Sequence, residues 1–97
     1  AVAPAKIYLA SVGNIPHVVS EADKLYKQLT EAGIEVLYDD RDMRPGEKFA
    51  DADLLGIPYR VVVSEKTLQN QNVEFKRRVD DNVEFITSAE LIHRLAN

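Results

Sequence analysis

Apolar positions along the chain change period several times, and the changes mark its elements. Lys6 to Val12 (KIYLASV) is a short, mostly apolar run that stops at Gly13-Asn14, the pattern of a buried strand followed by a turn. Ala22, Leu25, Tyr26 and Leu29 then fall at i, i+3, i+4 and i+7, on one face of a helix that Gly33 ends. Ser20 with Asp23 offers that helix a local cap, and Pro16 offers it an earlier start. The β-rich Ile34 to Tyr38 (IEVLY) follows at once. Strand, helix and strand with short joints make a βαβ unit, so these strands are expected to be parallel with a right-handed crossover.

Glu47 to Leu55 (EKFADADLL) predicts a shorter helix, introduced by Pro45-Gly46 and closed by Gly56. Tyr59 to Val63 (YRVVV) supplies a third strand, and Ser64 to Asn72 reads as a polar connection. Val73, Phe75 and Arg77 then alternate with Glu74, Lys76 and Arg78, which suits an antiparallel strand with one wet face. Asp80-Asp81-Asn82 is a turn signal before a short fifth strand, Val83 to Ile86. Thr87 and Glu90 stand in capping-box spacing, and Leu91, Ile92 and Leu95 line the inner face of a terminal helix. The expectation is an α/β domain with a mixed five-stranded sheet and helices on both faces. Its first three strands run parallel and its fourth antiparallel. Ala1 to Ala5 reads as a flexible end or linker, and residues 6–97 as one domain.

Composition narrows the function classes. A chain of 97 residues, 45% hydrophobic and 29% charged, is an ordinary globular domain. With no cysteine, neither a disulfide framework nor a thiolate metal site is available. No apolar run approaches membrane-spanning length and the start lacks a secretory pattern, so the expectation is a cytoplasmic protein. A net charge of −4 argues against non-specific nucleic-acid binding, which depends on a basic surface. It leaves room for a domain that reads a few bases.

Ligands of open α/β sheets bind outside the carboxyl ends of the parallel strands. Those ends carry Gly13-Asn14, the charged loop Asp39 to Gly46 (DDRDMRPG), and Ser64 to Lys66. No G-x-G-x-x-G and no Walker motif follows a strand, so a phosphate cradle is unsupported. Asp39, Asp40 and Asp42 do not converge on Mg²⁺ without a special turn, because neighbours on an extended segment point to opposite sides. A receiver-type phosphoacceptor needs acids after the first and third strands, whereas these follow the second. His17 and His93 read as surface residues, and no serine or cysteine stands in a nucleophile setting. Neither catalysis nor a bound metal is expected of this chain alone.

Recognition fits the loop better. Carboxylates only accept hydrogen bonds, and the Watson–Crick edge of guanine offers two donors side by side. Unpaired RNA bases are read on that edge and stacked on aromatic rings or arginine planes. Arg41 and Arg44 suit stacking or phosphate contacts, Lys48 and Lys66 phosphate contacts, and Phe49 stacking. Phe49 serves equally well as a core residue of the second helix. The same charges also suit a merely solvated loop, since surface ion pairs contribute little.

GIEVLYDDRDMRPGEKFADADLLGIPYRVVVSEK, Gly33 to Lys66, resembles the C-terminal anticodon-binding domain of class II aminoacyl-tRNA synthetases, in the version shared by the prolyl, threonyl, histidyl and glycyl enzymes. The D-D-R at Asp39 to Arg41, P-G-x-K-F at Pro45 to Phe49, A-D-L at Ala52 to Leu54 and G-I-P-Y-R at Gly56 to Arg60 match in order and spacing. V-E-F-K-R-R at Val73 to Arg78 resembles the prolyl member. The resemblance implies a three-layer α/β/α fold. It also implies a parent enzyme, commonly a homodimer, that joins proline to its tRNA with ATP and Mg²⁺ in a catalytic domain outside these residues. Carried over to matching positions, it puts Asp39, Arg41, Lys48, Phe49, Asp53 and Lys66 near the anticodon bases. Two segments depart from the pattern: Ser64-Glu65-Lys66 stands where many members have a glycine-bearing turn, and Thr67 to Asn72 lacks glycine. A sibling synthetase, a protein-interaction module on the same fold and a small nucleotide-binding enzyme are the competing readings.

Overall fold

The computed structural model describes residues 5–13, 15–39, 50, 54–79 and 82–96. Five strands form one sheet in the order β2-β1-β3-β4-β5: β1 (Ile7–Ser11), β2 (Val36–Asp39), β3 (Tyr59–Val63), β4 (Val73–Arg77) and β5 (Glu84–Ile86). β1 pairs in parallel with both β2 and β3, whereas β4 runs antiparallel to β3 and to β5. The mixed sheet and its antiparallel fourth strand are those read from the sequence.

Central position explains the apolar run of β1, whose five residues are all buried. A strand in the middle of a sheet covered on two sides cannot alternate with polar residues. Ile7 and Leu9 face the larger core with Val61, Val63, Val73 and Phe75, and Tyr8 and Ala10 face the other way with Ile57. Helix α1 (Pro16–Glu31) covers the larger core with Val18, Ala22, Leu25 and Leu29. Pro16 opens it and no side chain caps it, so the proline start prevails over Ser20, which lies inside the helix. A proline there loses nothing, because its missing N–H would lack an intrahelical partner.

The end of α1 is a Schellman closure. Gly33 takes φ +82°, its N–H donates to the Thr30 carbonyl at 3.0 Å, and the Ile34 N–H donates to the Leu29 carbonyl at 3.1 Å. Leu29 and Ile34 meet in the core, the apolar contact that accompanies this turn. Tyr26 and Tyr38 stack at 5.3 Å, and the Tyr38 hydroxyl donates to Asp23 at 2.6 Å, which docks α1 on the edge strand β2.

A one-turn helix, α2 (Glu65–Gln69), follows β3 where the sequence suggested only a polar connection. Its cause is a reciprocal box. The Ser64 hydroxyl accepts from the Thr67 N–H at 3.3 Å, and the Thr67 hydroxyl accepts from the Ser64 N–H at 2.9 Å. Thr87 caps the terminal helix α3 (Ser88–Leu95) by accepting from the Glu90 N–H at 3.1 Å. The Glu90 carboxylate binds Arg94 at 3.1 Å, and Arg94 also reaches Glu84 at the start of β5. Hydrogen bonding to Glu90 and then to Glu84 raises the pKa of Arg94. Lys6 Nζ donates to the Leu95 carbonyl at 3.0 Å and ties the first strand to the end of α3.

Of the helix expected over 47–55, Ala50, Leu54 and Leu55 are described and helical, and its other residues lie outside the described ones. Among the described residues no helix is long and apolar enough to cross a membrane.

Candidate nucleic-acid interface

The carboxyl ends of β1, β2 and β3 lie at one edge of the sheet. The Val12 N–H donates to the Val63 carbonyl at 2.9 Å and holds the first and third of these ends together. Beyond β1 the chain turns at Gly13, φ +95°, a left-handed conformation that favours glycine. Beyond β3 the Ser64–Thr67 box turns the chain into α2.

Asp39 is the last residue of β2 and pairs across the ladder with Ala10. It is buried, at 6% exposure. Its Oδ2 accepts a hydrogen bond from the Tyr8 hydroxyl, which reaches diagonally across the parallel pair. An ionised carboxylate away from water needs hydrogen-bond donors, and Tyr8 is one of them. The acidic rim therefore begins with an anchored group. Sequence reasoning placed Asp39 at this edge but missed Tyr8. The available signal was a tyrosine within an apolar central strand, because a buried phenol needs a polar partner.

Lys66 sits exposed on α2, beyond the carboxyl end of β3. Asp39 and Lys66 thus mark the ends of β2 and β3 on the same edge. Arg41, Arg44, Lys48, Phe49 and Asp53 lie outside the described residues. His17 and His93 are both exposed. Among the described residues no three His, Cys, Asp or Glu side chains gather as a metal site.

A cleft of about 290 Å³ opens between α1, α2 and the start of α3, with Val63 and Asn72 among its walls. It adjoins the edge that carries Lys66.

A family model, "Anticodon binding domain", matches residues 6–97. The chain belongs to the anticodon-binding domain family. Relatives of this anticodon-binding domain include the proline–tRNA ligase of Elusimicrobium minutum, 47% identical over 95% of this chain, and that of Anaeromyxobacter sp., 46% identical over 99%. The proline–tRNA ligase of Azorhizobium caulinodans is 54% identical over 73% of the chain. The chain spans 15–17% of the length of these curated relatives. Its fold matches the RNA-binding domain of threonyl-tRNA synthetase from Cryptosporidium parvum with a TM-score of 0.85, at 22% identity, over 94% of this chain and 22% of that one.

Proposed function

We propose that this anticodon-binding domain recognises the anticodon loop of proline tRNA as one module of a proline–tRNA ligase. The observation that carries the reading is 46–47% identity to proline–tRNA ligases over nearly the whole chain. The threonyl-enzyme domain shares the fold at an identity too low to bear on specificity.

The chemistry of the rim supports the same reading. Proline anticodons carry two adjacent guanines, and a carboxylate is matched to the paired N–H donors of an unpaired guanine. Asp39, Asp53, Arg41, Arg44, Lys48, Phe49 and Lys66 are the residues proposed for this surface, with Asp53 toward base edges, the cations toward stacking and phosphate, and Asp39, buried and bonded to Tyr8, fixing the start of the loop. The net charge of −4 limits the phosphate term. Binding by the chain alone is accordingly weak and only moderately dependent on salt, and the rest of the enzyme adds affinity by avidity. Ligation, with its ATP and Mg²⁺, belongs to the parts of the enzyme beyond these residues, in a cytoplasmic homodimer.

The test is a titration of isotope-labelled protein with a proline anticodon stem-loop, beside a control loop whose two guanines are changed to adenine. Amide shifts around Asp39 and Lys66 with the guanine loop alone are the expected result. Equal shifts with both loops replace base reading with backbone binding. Silence with both removes the proposal.

A further inference from the structure

The face of the sheet turned away from α1 is divided by charge. Its row nearest the carboxyl edge runs Asp39, Ala10, Val62 and Glu74, with an acid at either side. The next row of that face runs Leu37, Tyr8, Arg60 and Lys76, about 7 Å nearer the amino ends of the parallel strands at the usual rise per residue. Arg78 comes two residues after Lys76 and so shares its face. The Arg78 N–H donates to the Pro58 carbonyl at 2.8 Å, which extends the β3–β4 ladder that far.

Arg60 and Lys76 are direct partners across the antiparallel pair. Like charges directly opposite each other on a sheet repel and destabilise it. Both side chains belong to half-buried residues, and Arg78 is exposed. Arg60 also interacts within the protein. Lys76 donates to the Arg77 carbonyl at 3.3 Å, and neither Lys76 nor Arg78 forms an ion pair with any described residue. Asp80 and Asp81, next along the chain, lie outside the described residues. A chain of net charge −4 thus gathers three cations on one part of one face, where an anion from outside would offset their repulsion.

A bound RNA strand is such an anion, since it carries a phosphate at every nucleotide. Contacts to phosphate fix the register of a nucleic acid without reading its sequence. The guanidinium of Arg78 can grip a phosphate through two parallel hydrogen bonds, and Lys76 supplies a compact point charge. The cations begin one row behind the carboxyl edge, so a strand whose bases meet that edge can bring its backbone to them.

From this arrangement we infer that Lys76 and Arg78, beside Arg60, form a phosphate-binding track for the RNA read at the carboxyl edge. The inference rests on the RNA-reading proposal and adds to it the residues that hold the backbone.

The test uses the full chain and measures its affinity for the guanine stem-loop at several salt concentrations. Lys76→Gln and Arg78→Gln each lower the dependence of log affinity on log salt by about 1, and each weakens binding at low salt by about three- to tenfold. Lys76→Arg, which keeps the charge, keeps the unsubstituted slope. Amide shifts around Asp39 persist in both glutamine variants at saturating RNA. The urea midpoint of Lys76→Gln stays level or rises, because the repulsion from Arg60 is gone. An unchanged slope in both glutamine variants overturns the track and leaves these cations to an acidic protein surface, while the anticodon reading stands. Lys76→Arg binding as weakly as Lys76→Gln also overturns it. So does a lowered urea midpoint in Lys76→Gln, which makes the lysine part of the fold. Should the unsubstituted chain fail to bind the guanine stem-loop, both proposals fall.

Discussion

On the helix-covered side of the sheet, the cross-strand row Tyr38, Leu9, Val61 and Phe75 is apolar or aromatic across four strands and ends on Glu84 at β5. The next row faces the other way and runs Asp39, Ala10, Val62, Glu74 and Phe85, acidic near one end and exposed at the other. Both rows hang on the same hydrogen-bonded ladder. On the first side, stability comes from burying apolar surface under α1 and α3. On the second, the buried apolar residues among the described ones are Tyr8, Ala10, Val62 and Ile57, and a hydrogen-bonded carboxylate stands next to them. The sheet can therefore present polar groups at its carboxyl edge because the opposite face secures the fold.

Leu9→Ala gives the largest expected effect. Leu9 is fully buried in the larger core. Its truncation removes transfer energy and leaves a cavity, a loss of about 2–5 kcal/mol. Urea unfolding measures it. A loss below about 1 kcal/mol breaks the comparison, since the helix-covered face would then not dominate stability.

Much of this contrast was legible beforehand. Uninterrupted apolar character marked β1 as buried, and alternation marked β4 as an antiparallel strand with one wetter face. The helical period of Ala22, Leu25 and Leu29 named three of the four buried residues of α1. The Ser64–Thr67 box was missed because it lies between polar residues with no apolar period to announce a helix, although serine followed three residues later by a side-chain acceptor was there to be read. Tyr8 was missed for a different reason. Strand alternation tells which side a residue faces, but a diagonal bond to Asp39 depends on register, which pairs Tyr8 with Leu37 and Ala10 with Asp39. Register is a tertiary property. The charged loop offered residue types and spacing, and that was enough for family likeness but not for assigning one base to one side chain.

Tyr8→Phe is the intermediate case and sharpens the difference between the faces. It keeps the ring in its buried place and deletes the donor to Asp39. Bonds to charged groups contribute about 1.5–3 kcal/mol, so stability falls by that order, less than in the severe range for Leu9→Ala. The guanine stem-loop also binds more weakly to the folded protein, because Asp39 loses a fixed orientation at the edge. Leu9→Ala, compared at a temperature where it is folded, retains its RNA affinity. Unchanged stem-loop affinity in Tyr8→Phe makes the pair a structural anchor with no part in recognition.

Phe85→Thr is the smallest expected effect and probes where the second face stops being core. Phe85 lies on β5 opposite Glu74, with 53% of its surface exposed. About half of that ring's surface stays in water, so removing it costs less transfer energy than removing a core ring. Threonine retains β-branching and therefore the strand preference of the site, which separates loss of packing from loss of propensity. Stability should fall by about 1 kcal/mol or less, below the range of core truncations. The same substitution in the opposite row, at Phe75, removes a 4%-exposed ring that stacks on Tyr59 at 5.5 Å, and falls in the range of Leu9→Ala. Two phenylalanines on adjacent strands of one sheet thus differ because of the side they face. A loss above 1 kcal/mol in Phe85→Thr, measured beside Phe75→Thr, would mean that the polar face carries a packed core out to β5. In that event the freedom of its carboxyl edge to hold charged groups needs another explanation than the helix-covered face behind it.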